Sequence, residues 1–144
     1  MKKILLLIFF FMSTLSIANA QKWFTDFQQA KKVAQEKNRH IILVFEGSDW
    51  CAPCKKLEKE IFSSDEFKNY SKEHFVLLKA DFPKKKKNKL KKEQQEKNNQ
   101  LAEKYNQQGF FPMVAVLNAT GKVLGKTGYK KISPTAYIKL LSSF

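Results

Sequence analysis

Trp50-Cys51-Ala52-Pro53-Cys54 decides how this chain is read. It follows the apolar run Ile41-Ile42-Leu43-Val44-Phe45 and precedes the amphipathic run from Lys55 to Phe62. Cys51 and Cys54 are the only two cysteines, and they stand between a predicted strand and a predicted helix. A disulfide needs Cα atoms roughly 4.4–6.8 Å apart, a separation that one helical turn supplies without strain. Pro53 fits the first helical turn, where a missing N–H costs nothing. Cys51 is then at the helix N-terminus, where unpaired N–H groups and the positive end of the dipole favour thiolate over thiol. Cys51 is the expected nucleophile. Cys54 shares a helix face with Leu57 and Ile61, so it is expected to point inward, as the resolving thiol that releases a mixed disulfide.

Two blander readings compete. A purely structural bridge over so short a loop would contribute only about 2 kcal/mol in the chain-entropy model. A zinc site needs a second cysteine pair or two suitably spaced histidines. His40 and His74 are far apart, each beside an apolar run, and read as strand-edge residues. No metal and no cofactor is expected.

The 144 residues leave room for one domain. Residues 1–20 are set apart: Lys2 and Lys3 precede an apolar core, and Ala18-Asn19-Ala20 is a small-x-small cleavage pattern. That is the grammar of a secretory signal peptide, with an apolar stretch shorter than the ~20 residues of a membrane span. The mature domain is expected at 21–144, in the periplasm or secreted, where disulfides persist. Removing Lys2 and Lys3 lowers the formal charge from +14 to +12.

Trp23, Phe27, Ala30 and Ala34 predict a helix over 23–37, with Thr25 and Gln28 in a capping-box pattern. Ile41 to Phe45 within His40 to Glu46, and Phe75 to Leu78 within Phe75 to Ala80, are continuous apolar runs, the mark of buried strands, and with the helix between them they form a βαβ unit. Ser63-Ser64-Asp65 restarts a short helix carrying Phe67 and Tyr70. Met113 to Leu117 and a strand from Val123 form a hairpin through Asn118 to Lys122, with Gly125 and Gly128 breaking the last strand. A cis bond at Phe111-Pro112 would suit the bend before Met113. Ser133 caps a final helix that has Pro134 at its first position.

Residues 83–99 hold eight lysines: 84, 85, 86, 87, 89, 91, 92 and 97. Asn88 is a candidate cap for a helix through Leu90 and Tyr105, whose first half would be a solvated, projecting basic segment. A lysine run usually means only a solvated face. The functional alternatives for Lys84 to Lys92 are an acidic partner or an anionic membrane surface. There is no aromatic interleaving or recognition module for nucleic acid, so none is expected.

The order of elements, with Trp50-Cys51-Ala52-Pro53-Cys54 after a buried strand and Phe111-Pro112 at a later strand start, resembles the thioredoxin superfamily. The likeness runs from about Trp23 to Phe144. Gly47-Ser48-Asp49-Trp50-Cys51, Lys56 to Phe62, Asp81-Phe82-Pro83 and Leu101 to Tyr105 look like exported bacterial thioredoxin-like proteins. They are also similar to the soluble C-terminal domain of the transmembrane electron carrier DsbD. The resemblance implies an α/β thioredoxin-like fold, a central mixed sheet of about four strands flanked by helices. It implies a thiol–disulfide oxidoreductase acting on protein dithiols and disulfides, tilted toward reduction of protein disulfides and fed by a DsbD-like membrane donor; a monomer is expected. Cys51 would attack and Cys54 resolve; Trp50, Pro53, Phe111 and Pro112 would border the substrate, with the Phe111 backbone pairing to it as a short strand. The chain departs from the thioredoxin pattern at the acid six residues before the first cysteine, which is Phe45 here. Glu46, next to it, is the candidate for proton transfer, although an adjacent strand residue faces the other way. The rival reading is a non-catalytic binding or holdase module, with a permanent Cys51–Cys54 bond and a basic contact arm.

Overall fold

The computed structural model describes residues 20–144. The expected signal peptide lies outside the described residues, apart from Ala20. Five strands form one mixed sheet: β1 (Trp23–Phe24), β2 (His40–Glu46), β3 (Phe75–Asp81), β4 (Met113–Leu117) and β5 (Val123–Thr127). Their spatial order is β1-β3-β2-β4-β5. β1 and β2 run parallel to β3, whereas β4 is antiparallel to both β2 and β5. Five α-helices flank it: α1 (Phe27–Lys37), α2 (Ala52–Leu57), α3 (Asp65–His74), α4 (Lys92–Tyr105) and α5 (Pro134–Ser142).

Strand alternation sorts the core into two layers. Ile41, Leu43 and Phe45 face Ala30 and Ala34 of α1 and Leu101 and Tyr105 of α4. Ile42 and Val44 face the other way, onto Leu57, Ile61, Phe62, Phe67, Tyr137 and Leu141. Because both faces of β2 and β4 are covered, their runs are apolar throughout. The central register sets Val44 beside Lys79 and Glu46 beside Asp81.

Four local readings are revised. The helix expected over 23–37 starts later: Trp23 and Phe24 extend the sheet edge, and Asp26, not Thr25, caps α1 by accepting from Gln29 N at 3.0 Å. Trp23 pairs with Leu77 and lays its ring edge-on to Phe62, so tertiary contact outweighs helical periodicity there. Asn88 caps no helix; α4 begins only at Lys92. Gly125 does not break β5 but lies within it, and the Phe144 ring occupies the space a Cβ there would need. The cis bond at Phe111-Pro112 is present.

Candidate functional site

Gly47, Ser48, Asp49 and Trp50 connect the end of β2 to α2. The Cys51 N–H donates to Gly47 O at 2.9 Å, which closes that turn. Cys51 then occupies the cap position of α2 in an extended conformation, with Pro53 in the first turn. Cys51 and Cys54 are joined by a disulfide with Cα atoms 5.2 Å apart. The Cys54 N–H donates to Cys51 Sγ at 3.3 Å. A backbone donor aimed at this sulfur stabilises negative charge on it when the bond opens, and it does so for Cys51 rather than Cys54.

The helix does not stop at Leu57. A π-helical turn, Glu58–Phe62, continues it, with Ser63 N–H donating to Glu58 O at 2.8 Å. Cys54, Leu57 and Ile61 are buried as their spacing predicts, and the wide turn brings Phe62 inward as well. Cys54 is shielded as expected, but exposure does not set it apart from Cys51. Cys51 is 4% exposed and Cys54 3%. Both are covered with the bond closed, and the Cys51 sulfur sits against the N–H of Cys54 in the first turn.

The surroundings are more open. Trp50 is 38% and Phe110 60% exposed, and Ala52 and Pro53 face solvent. The Trp50 ring meets Phe111 edge-on at 5.4 Å, and Phe111 meets Phe82 at 5.5 Å. Trp50 Nε1 donates to Phe82 O at 2.8 Å, and the indole lies back over Gly47, where any Cβ would collide with it. Trp50, Phe111 and cis-Pro112 are thus brought together. Buried Asn106 holds the preceding residue from both sides: its Oδ1 accepts from Phe110 N and its Nδ2 donates to Phe110 O. Among the described residues nothing hydrogen-bonds to the N–H or C=O of Phe111. Its backbone groups are available to an extended strand.

Two acids precede the disulfide in sequence. Glu46 is on the α2 face of the sheet, 7% exposed, while Phe45 packs on the opposite layer. Lys79 Nζ lies 3.4 Å from Glu46 Oε1 and 3.3 Å from Glu58 Oε2, over the Trp23 ring. Burial pushes the Glu46 carboxyl above its ordinary range, and the Lys79 charge partly offsets this. Among the described residues no hydrogen bond joins Glu46 to Cys54; the structure brings it to Lys79 instead. The lone Lys79 inside the apolar run Phe75 to Ala80 was the sequence signal for this pair.

Asp49 is the second acid, and its role was not legible from the turn-forming stretch Gly47-Ser48-Asp49. Its Oδ1 accepts from Lys84 N at 2.9 Å, and its Oδ2 from Lys85 N at 3.0 Å and Asn88 Nδ2 at 2.9 Å. The backbone N–H of Lys84 leads the causes that hold Asp49 down to about 2. Asp81 repeats the device one step earlier, accepting from Ser48 N and Ser48 Oγ. Lys84 Nζ sits 3.8 Å from the centre of the Trp50 ring. The lysines of 84–92 are exposed, yet the segment expected to project has its backbone fastened beside the CxxC loop.

Among the described residues no group of three or more His, Cys, Asp or Glu side chains is arranged to hold a metal ion. A family model described as a thioredoxin-like domain matches residues 27–144. The disulfide bond reductase DsbH of Chlamydia pneumoniae is 33% identical over 130 residues, covering 90% of this chain and 76% of the relative. A solved structure titled DsbH oxidoreductase superposes with a TM-score of 0.79 at 31% identity, covering 86% of this chain and 83% of that one. The oxidised C-terminal domain of Neisseria meningitidis DsbD shares the fold, with a TM-score of 0.55 at 16% identity, covering 81% and 90%.

Proposed function

We propose, from the premise that this chain belongs to the thioredoxin-like domain family and is a thiol–disulfide oxidoreductase, that it works outside the cytoplasm as a reductant of protein disulfides. The observation that carries this reading is the Cys51–Cys54 bond at the head of α2, with a backbone N–H on the Cys51 sulfur. The reductase named above supports the direction, and the signal-like segment 1–20 supports export.

A donor dithiol first reduces the Cys51–Cys54 bond and is itself oxidised. The Cys51 thiolate then attacks one sulfur of a substrate disulfide. A mixed disulfide forms, and the other substrate sulfur leaves as a thiolate that takes up a proton. Cys54, as thiolate, attacks Cys51 Sγ, re-forms the internal bond and releases the second substrate sulfur, which is also protonated. The substrate gains two electrons and two protons in all. Trp50, Pro53, Phe111 and Pro112 border the approach, and the free Phe111 backbone pairs with the substrate strand. Glu46 acts on proton balance through the buried charge it shares with Lys79. A membrane dithiol donor of the DsbD kind supplies the electrons, and the protein acts as a monomer.

The test is reduction of insulin disulfides by the chain from Gln21 onward, with dithiothreitol as donor. Turnover is expected, with loss on the order of 10³-fold or more in Cys51→Ser. Equal rates for the two proteins would overturn the reading.

A further inference from the structure

We propose that the lysines of 84–89 are a specificity surface of the redox site, selecting disulfides flanked by acidic residues in a partner polypeptide. This rests on the reductase reading above.

Three observations point there. The first is position. Asp49 stands two residues before Cys51, and its carboxylate is filled by Lys84 N, Lys85 N and Asn88 Nδ2. Those bonds use backbone and amide donors, so the clamp leaves the ammonium groups of Lys85, Lys86, Lys87 and Lys89 at the surface. The second is charge. Among the described residues, the ion pairs involve Arg39, Lys79 and Lys97 and none of Lys84–Lys92. Lysines in no ion pair, held on and around one short turn at Lys86–Asn88, keep most of their field for whatever approaches; of them Lys85 alone also acts on the Asp49 carboxylate. The third is continuity with the apolar part of the site. Lys84 covers one face of exposed Trp50, and Trp50 meets Phe111 beside cis-Pro112. A strand entering along Phe111 therefore passes from an aromatic floor onto a basic rim. The fitting occupant is an extended peptide with its cystine over Trp50 and carboxylates in its flank.

A solvated arm would give diffuse attraction to any anion. A clamped segment does more, because it fixes the charges relative to the sulfur. Partners with acidic flanks gain in encounter rate and register, and partners with basic flanks are repelled. The effect must fade as salt shortens the Debye length from about 30 Å at 0.01 M to about 3 Å at 1 M.

The experiment compares cystine peptides that differ only in flanking glutamate, glutamine or lysine, with dithiothreitol as donor. Hydroxyethyl disulfide, small and uncharged, serves as the control substrate. At low ionic strength kcat/KM for the glutamate peptide is expected to exceed that for the glutamine peptide about tenfold, and the two should converge in high salt. The combined variant K85Q/K86Q/K87Q/K89Q should lose that preference while reducing hydroxyethyl disulfide and the glutamine peptide as before. Equal kcat/KM for all peptides in the unmodified chain, or a preference that survives in the variant, overturns the proposal. Sedimentation with phosphatidylglycerol vesicles adds a further outcome. Lysine-dependent vesicle binding together with equal handling of the peptides would assign the patch to a membrane surface, and so overturn it too. Failure to reduce hydroxyethyl disulfide would instead count against the reductase reading itself.

Discussion

Glu46 and Asp49 are three residues apart, yet the regions around them treat a carboxylate in opposite ways. Glu46 closes β2, buried beneath the site and facing one cation shared with Glu58. Asp49 lies in the loop above it and accepts three N–H donors from a segment 35 to 39 residues further on. Burial raises the first and hydrogen bonding lowers the second. The contrast teaches that one turn of chain separates an acid buried against a shared cation from an acid whose three donors fasten the lysine segment to the CxxC loop.

The largest test asks whether both zones serve the same bond. Cys54→Ala is expected to keep attack but lose release, so nearly all of the protein should accumulate covalently attached to substrate through Cys51. Mass spectrometry of alkylated extracts checks this, and an adduct-free protein would leave the two zones without a common purpose. Next in size is Lys79→Met. It leaves Glu46 with no cation and should cost about 1–3 kcal/mol at neutral pH, read from the shift in urea midpoint. No loss would mean that the buried zone is not held by its ion pair.

A smaller effect distinguishes the acids by sign. The folded pKa of Glu46 is raised, so its contribution to stability is full below the unfolded value of 4.5 and is lost as pH rises through the folded value. Glu46→Gln should remove that decline, giving a flatter stability curve above pH 4.5 than the unmodified chain. Asp49 runs the other way. Its contribution is present above 3.8 and is lost as pH falls through about 2. Smallest in stability is Asp49→Asn, which should flatten the acid limb. Its clearer readout is severalfold faster trypsin cleavage after Lys84 to Lys89, because segment opening no longer breaks three bonds to one carboxylate.

Much of this was written locally in the sequence. β2 and β4 fall where their apolar runs place them, and Ser133 with Pro134 starts α5 as expected. The redox pair, the buried face of α2 and the bend at Pro112 were equally legible, because each depends on residues within a turn or two of one another. The remainder depends on distant partners. β1 is two residues long and exists only because β3 lies beside it, so no period could announce it. Phe144 explains why residue 125 is glycine, across a separation no window spans. The Asp49 clamp is the same case: Gly47-Ser48-Asp49 looks like an ordinary turn until Lys84 is folded against it. The lysine run could be read for charge but not for where that charge would be held.

The floor of the entrance is shaped by an atom that is not there. The indole of Trp50 rests in the space that any side chain at residue 47 would fill. A single added methyl would lift the ring, and with it go the bond to Phe82 O, the seat under Lys84 and the edge contact with Phe111. The narrowest lever on this doorway is therefore a hydrogen on Gly47, four positions before the sulfur.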